Sequence, residues 1–451
     1  MAQLHRYVKI SNGIARMPRW LLARGSFFYS IVAVALVTLI AIGLPQLQFT
    51  VAPELGFASI AHLLIPATLF TLVSLFVGTL SLYFLYRSWV VVVWPMAFTS
   101  LTLLLTLSFA GVRGLAISPL IIHTVVIVVT AALGFTVYIL NGLKVHGRYL
   151  SLRQALTETY RYAGTSIVMT AMVVASGLAS LALTKISALI NFGFMTAFGV
   201  GVCAFFILAS IPLLLSWSEM RINSKMRTPP DRHLRMFVNG IGQFIFRFRN
   251  LILWSFAILS LPIAYGVTRL EITSAALLPS MAMGIAGMGM IVILFMKSFK
   301  AGFAAILSSL IPGLVLLSLQ GMIGVSLNSD TLLVFYVVTL LTICNITHFL
   351  SRYRLHLHDQ RGTFRETVIL TLKGTGHSLV GITLVTMIGL CFLSFRAPRQ
   401  FADLGNWIVL GLAIGIYVEI FLLPALVQKI RLFDGQRVPL RWTFEDDSKT
   451  G

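Results

Sequence analysis

The 451-residue sequence predicts an all-α polytopic membrane protein, with twelve transmembrane helices arranged as two parallel six-helix repeats. Three observations predict it. The chain is 58% hydrophobic and only 11% charged, whereas a soluble domain carries roughly 25% charged residues. Its apolar residues fall in runs of about 20, the length that crosses a hydrocarbon core of about 30 Å. Finally, 29 of the 34 Lys and Arg residues lie on one side of a single twelve-crossing threading, as the positive-inside rule demands.

The runs are 27–47, 60–84, 90–110, 117–140, 164–183, 189–216, 250–268, 277–296, 302–323, 330–350, 378–395 and 405–428. Backbone groups in lipid must be satisfied within their own segment, so each run is expected to be a helix. With Met1 cytoplasmic, the opposite side carries only Arg113, Lys185, Arg269, Arg396 and Arg399. Both termini are then cytoplasmic, in the cell inner membrane. Residues 1–25 precede the first run and carry Arg6, Lys9, Arg16, Arg19 and Arg24 among Tyr7, Val8, Ile10, Ile14, Met17 and Trp20. That mixture suits an interfacial amphipathic helix. The first run is long enough to stay in the membrane, and no small-x-small cleavage site stands out, so a cleaved signal is not expected.

The halves repeat in parallel. Arg87-Ser88-Trp89 recurs as Lys297-Ser298-Phe299, Gly111-Val112-Arg113-Gly114 as Gly321-Met322-Ile323-Gly324, Gly177-Leu178 as Gly389-Leu390, and Pro212 as Pro424. The offset drifts only from 210 to 212 residues. Six crossings per half give both halves one orientation, the parallel kind of transporter repeat. The expected divisions are the first repeat at 26–218, a basic cytoplasmic linker at 219–249, the second repeat at 250–430, and a cytoplasmic tail at 431–451. Within each half, residues 150–162 and 363–373 read as short amphipathic helices on the membrane surface or as solvated connectors.

Composition also excludes. The net charge of +20 sits in short loops at helix ends, not on a groove-sized basic stripe, so nucleic acid is not the partner. These bases read as topology determinants that hold anionic lipid headgroups. Cys203, Cys344 and Cys391 lie within spans, where they pack as small apolar residues. The sequence has no HExxH, no Gly-x-Ser-x-Gly and no cluster of intramembrane acids, so neither an enzyme, a metal nor a cofactor is expected. His356-x-His358 has no third ligand nearby in sequence, and His62 and His123 near the outer ends of two spans are too little to name a metal.

Asn345-Ile-Thr-His-Phe-Leu-Ser-Arg-Tyr-Arg354, Gly389-Leu390, and Glu419 with Leu422-Leu-Pro-Ala-Leu426 carry a resemblance. In this order and spacing they resemble the resistance-nodulation-division (RND) superfamily, most closely its MMPL-like, lipid-exporting branch. Phe135-Thr-Val-Tyr-Ile-Leu-Asn141 is a weaker version of the same fourth-span text. The resemblance implies a bundle in which the fourth span of each half faces its counterpart at the centre. Two departures follow. The connections at 48–59 and 269–276 are too short to hold the folded extracytoplasmic porter domains of that superfamily. The carboxylate of the proton relay is also missing, with Gly134 in the first half and Cys344 or Asn345 in the second at the aligned positions. Gly and Asn cannot change charge as a relay must.

The tenth span is the most polar, with Thr339, Thr342, Asn345, Thr347 and His348; Thr130, Thr136 and Asn141 give its repeat partner a thinner stripe. The candidate polar core is therefore Thr136, Asn141, Thr342, Cys344, Asn345, Thr347, His348 and the intramembrane carboxylate Glu419. These residues serve transport, or they only hydrogen-bond between helices, at about 0.6 kcal/mol per contact. Asp330 and Asp403 are expected at the outer interface. Small residues in Gly193-x3-Ala197-x3-Gly201 and Gly411-x3-Gly415 suit close helix packing. The functional expectation is a transporter or exporter of a hydrophobic or lipid-like substrate. Its partners would be membrane lipids and a periplasmic or membrane protein that supplies porter domains in trans. The alternative is a non-transporting sensor, scaffold or degenerate paralogue with a sterol-sensing-like bundle.

Overall fold

The computed structural model describes residues 2–48, 65, 68–80, 83, 89–118, 120–147, 150–217, 232–273, 276–359, 364–396, 399–430 and 432–433. These residues are almost wholly helical. In chain order the helices are α1 (Ala2–Gly43), α2 (Thr68–Leu80), α3 (Trp89–Val112), α4 (Ile121–His146), α5 (Leu152–Thr159), α6 (Thr165–Ala179), α7 (Ser187–Trp217) and α8 (Arg232–Arg247). They continue as α9 (Arg249–Thr268), α10 (Leu278–Met296), α11 (Phe299–Met322), α12 (Ser329–Asp359), α13 (Phe364–Thr371), α14 (His377–Arg396), α15 (Arg399–Tyr417) and α16 (Leu423–Ile430). Among the described residues, 11 segments are long and apolar enough to cross a membrane. The shorter α2 covers part of the expected second span, and the rest of that span, with His62, lies outside the described residues.

Burial sorts the helices into centre and rim. The spanning part of α12 is 94% buried and that of α4 is 83% buried, whereas those of α1 and α9 are 6% and 11% buried. On the rim, Val34, Val37, Trp254 and Leu261 are exposed, which in lipid is the favourable side for an apolar residue. α4 and α12 are β-branched and aromatic on all faces because they are surrounded by protein on all faces.

Helices in a bilayer gain nothing from burying apolar surface that lipid would cover equally well, so close backbone approach matters. Both halves achieve it in the same way. A Cβ on Gly43 would overlap the backbone of Ser108, and one on Gly111 the backbone of Gly43. A Cβ on Gly266 would overlap Ser318, and one on Gly321 the backbone of Gly266. Beyond each contact the chain turns through Gly114 (φ +61°) or Gly324 (φ +78°), a left-handed conformation that glycine adopts without strain. The backbone bonds Ile117 N–H to Gln48 O at 2.7 Å and Leu327 N–H to Glu271 O at 2.8 Å then fasten the two turns alike.

One expectation is revised and three further segments take definite form. The N-terminal segment is not a separate interfacial helix: α1 runs unbroken through 42 residues, about 63 Å at 1.5 Å per residue, longer than the bilayer core. Its polar part is a packing surface, with Ser11 Oγ donating to Arg161 O at 2.6 Å and Ala15 and Leu21 buried. In the basic segment 219–249, α8 occupies the second half. The segments 150–162 and 363–373 contain α5 and α13, each followed by a π-helical turn, Tyr160–Gly164 and Leu372–Gly376. Gln154 Oε1 accepts from the Ser151 N–H at 3.2 Å and starts α5. The small-residue pattern is half used: a Cβ on Gly193 would press on α6 at Leu178 and Leu181, while Gly201 has open space. Asp330 and Asp403 are exposed at helix starts.

Because Gly266 admits no side chain, Gly266→Val is expected to cost about 1–3 kcal/mol through overpacking. Gly240, with nothing near its hypothetical Cβ, is expected to accept alanine without loss. Thermal unfolding of the detergent-purified variants, followed by tryptophan fluorescence, measures both.

Candidate functional site in the polar seam

The central helices contain hydroxyls and amides that β-branched neighbours keep from water. Their partners lie across the molecule. The two fourth-span helices touch directly where the Tyr138 ring stacks on His348 at 3.7 Å between centroids. These residues are 210 positions apart, the repeat offset itself, so the contact joins equivalent positions of the two halves. Phe135 adds an edge contact to the same imidazole at 6.0 Å.

The hydrogen bonds, however, run from each fourth-span helix to the fifth-span helix of the opposite half. On one flank, His348 Nδ1 bonds the Ser166 hydroxyl, Thr347 Oγ1 bonds Thr170 Oγ1 at 2.7 Å, and Tyr336 donates to Gly177 O at 2.6 Å, all between α12 and α6. On the other flank, Thr130 Oγ1 bonds Thr386 Oγ1 at 3.1 Å between α4 and α14. Asn141 Nδ2 donates to Gly374 O at 2.8 Å and to Ser378 Oγ at 3.2 Å. Arg352 Nη1 donates to the same Gly374 carbonyl at 3.0 Å. That carbonyl lies in the π-helical turn before α14, so the turn supplies an acceptor to both halves.

A third cluster lies within the second half. Asn345 Nδ2 lies 3.1 Å from each carboxylate oxygen of Glu419 and 3.2 Å from Thr383 Oγ1. Glu419 is 2% exposed and sits in a third π-helical turn, Val418–Leu422. No cation lies within 4.0 Å of it among the described residues. Thr342 is fully buried one turn from Asn345, and its hydroxyl has no partner.

The eight candidate residues thus separate. Thr342, Asn345 and Glu419 share one cluster, and Thr347 and His348 a second. Asn141 belongs to a third, where it faces α14 rather than α12 as expected. Cys344 takes part through its carbonyl, which accepts from Thr347 Oγ1 at 2.7 Å. Thr136 is fully buried with its hydroxyl unpartnered. Ser166, Thr170, Ser378, Thr383 and Thr386 were not singled out from the sequence, because a hydroxyl in an apolar run looks alike whether it faces protein or its own backbone. Tyr138 had a usable signal: it is the repeat equivalent of His348. Among the described residues no three His, Cys, Asp or Glu side chains gather as metal ligands. His123 is buried with both ring nitrogens unpartnered, and the His358 side chain lies outside the described residues.

Apart from the seam, a cavity of about 350 Å³ opens on the flank of the first half. Thr71, Ser100, Thr106, Thr124, Val125 and Met195 line it, from α2, α3, α4 and α7. Its rim reaches Leu72, 66% exposed.

No protein-family profile matches this sequence, and no curated protein sequence does. Solved structures do match. The fold is that of a polytopic helical membrane protein, and it resembles SecDF. SecDF, a translocon-associated membrane protein from Thermus thermophilus, aligns with TM-score 0.69 and 14% identity over 82% of this chain and 62% of that one. SecDF in a super-membrane-facing form aligns with TM-score 0.64 and 16% identity over 84% of this chain and 63% of that one. The chain therefore spans less than two thirds of either protein, and at such identities the likeness is one of fold.

Removing one partner of a buried polar pair strands the other, whereas removing both does not. Asn345→Leu alone is expected to destabilise by roughly 1–3 kcal/mol. The double variant Asn345→Leu/Glu419→Leu is expected to recover most of that loss, read from thermal unfolding midpoints in one detergent. Equal or greater loss in the double variant contradicts the pairing.

Proposed function

We propose that this chain is an RND-type transporter that draws a hydrophobic or lipid-like molecule sideways out of the bilayer. It acts in the cell inner membrane, with both termini cytoplasmic and two parallel six-helix repeats. The flank cavity carries the reading. Drug-sized ligand sites occupy about 300–1,000 Å³ and are mostly apolar with a few hydroxyls, which fits this one. Its lining comes from the first turns of α2 and α4 and the distal part of α3. That position corresponds to the half of the membrane away from the basic loops, hence the outer leaflet under the proposed orientation. An exporter without long aqueous collecting loops needs its substrate delivered there by the lipid phase or by a partner protein.

The second half supports the assignment by contrast. The positions equivalent to Ser100, Thr106, Val125 and Met195 are Leu310, Leu316, Phe335 and Trp407. The Phe335 ring lies against Gly313, at 2.5 Å from where a Cβ would stand, and Gly313 is the equivalent of the cavity residue Leu103. Larger side chains thus occupy four of the matching positions, and the Phe335 ring covers the space beside Gly313, which favours the first half as the substrate entry.

A second reading has its own support. The structural neighbours are called SecDF, and one is described as translocon-associated, so assistance to protein translocation is the competing function. A non-transporting sensor or scaffold remains the third.

Val125→Phe/Met195→Trp writes the second half's residues into the cavity. The variant is expected to retain its fold and to lose about tenfold or more of its lipid retention and fluorescent-lipid efflux, equivalent to about 1.4 kcal/mol. Native mass spectrometry and proteoliposome efflux measure the two. Undiminished lipid retention and efflux in the variant reject the cavity as the substrate site. Failure of the wild type to move any lipid, together with slowed secretion in cells lacking the protein, favours the translocation reading.

A further inference from the structure

We infer that Glu419 is a single exchangeable-proton site, built where the last span of the second half meets α12. The inference uses the transporter reading only for what the proton would drive; binding of the proton stands on the site itself.

The geometry has four parts. First, the amide of Asn345 on α12 touches both oxygens of the buried Glu419 carboxylate at 3.1 Å. A carboxylate of the last span thus meets an amide of the most buried span, with no basic side chain beside it among the described residues. Second, Asn345 can serve both protonation states. Its NH₂ donates to the carboxylate, and after a half-turn of the amide its Oδ1 accepts from the carboxylic acid O–H. A cation in that position would favour only the charged state.

Third, an unpartnered group borders the same space. The Thr342 hydroxyl, fully buried and without a partner, and Glu419 Oε1 lie 3.2 and 3.9 Å from where a Cβ on Gly415 would stand. Gly415 leaves room there for the hydroxyl and a water to relay the proton. A buried hydroxyl left unsatisfied costs free energy, which a passing proton carrier would relieve. Fourth, the site is asymmetric. Glu419 corresponds to Ile207 at the offset of 212 residues. Ile207 lies in α7, which is α-helical throughout, whereas Glu419 lies in a π-helical turn. Pro212 and Pro424 occupy matching positions in both, so proline alone does not produce the π turn. Such turns recur at functional sites, and this one accompanies the carboxylate.

Other titratable groups around the site are few. α12 presents Cys344, His348 one turn beyond Asn345, and Arg352 two turns beyond it, and α4 presents Tyr138. On the remaining packed elements, Arg269 of α9, Lys300 of α11, Asp403 and Tyr417 of α15 and Lys429 of α16 are exposed, while Arg249 opens α9 at its far end. In each exchange the carboxylic acid O–H bond breaks, its proton passes to the Thr342 hydroxyl as that hydroxyl releases its own to a water and on to solvent, and the carboxylate later takes one proton from solvent on the other side. One such residue allows one proton per cycle.

Infrared difference spectroscopy of the full chain in lipid nanodiscs, stepped in pH, tests this directly. The wild type is expected to show one carboxylic acid C=O band that disappears as pH rises. Glu419→Gln is expected to lack it and Glu419→Asp to shift it. Identical wild-type and Glu419→Gln spectra overturn the inference, as does an unshifted band in Glu419→Asp should the Gln variant fail to fold. A band that responds to sodium in place of potassium at fixed pH also overturns it, assigning the site to a metal cation instead. Lipid retention by the first-half cavity is read in the same samples. Its loss with the band present refutes the transporter reading alone, and its persistence without the band refutes the proton site alone.

Discussion

The fold depends on a seam of neutral hydrogen bonds between two apolar half-bundles. In water, burying α4 and α12 would itself drive assembly. In lipid it does not, because acyl chains solvate leucine and valine as well as protein does. What remains is close packing at small residues and the requirement that buried polar groups find partners. Thr130 with Thr386, Asn141 with Ser378, Thr347 with Thr170 and His348 with Ser166 meet one another only when the halves dock in one register. Each bond is weak, about 0.6 kcal/mol, so the seam specifies the arrangement without welding it. A seam of weak, uncharged contacts can shear or rock at low cost, as the proposed transport would require.

Much of the architecture was legible in the sequence. Span positions follow from run length and loop charge, and the offset near 210 residues located equivalent turns such as Gly114 and Gly324 before their left-handed backbone was known. The polarity of the tenth span marked α12, and the structure buries α12 more completely than any other span. Less legible was the direction in which each polar side chain points. Asn141 and His348 both face the opposite half's fifth span, because the two fourth-span helices meet along a narrow line at Tyr138 and His348. Periodicity cannot reveal this in a helix that is apolar on every side. The continuous α1 was hidden for a similar reason: its basic amphipathic stretch looks the same lying on lipid or on the α5 segment.

Asymmetry is the more informative property of these halves. They share turns, glycine contacts and paired π turns, yet among the described residues the flank cavity lies in the first half and the buried carboxylate in the second. Phe335 and Trp407 take up space in the second half, and Ile207 stands where the first half would carry an acid. A pair of repeats that has divided its tasks in this way would admit substrate through one half and exchange a proton in the other, with the seam joining them.

Thr130→Cys/Thr386→Cys in a background free of other cysteines tests the seam most directly, since the two hydroxyl oxygens lie 3.1 Å apart. With a protease site inserted between residues 219 and 231, mild oxidation followed by cleavage is expected to leave one band on a non-reducing gel. Reduction is then expected to separate it into two. Two bands after oxidation, with efficient cleavage, would mean that the halves do not meet along α4 and α14, and the account of the seam would fail.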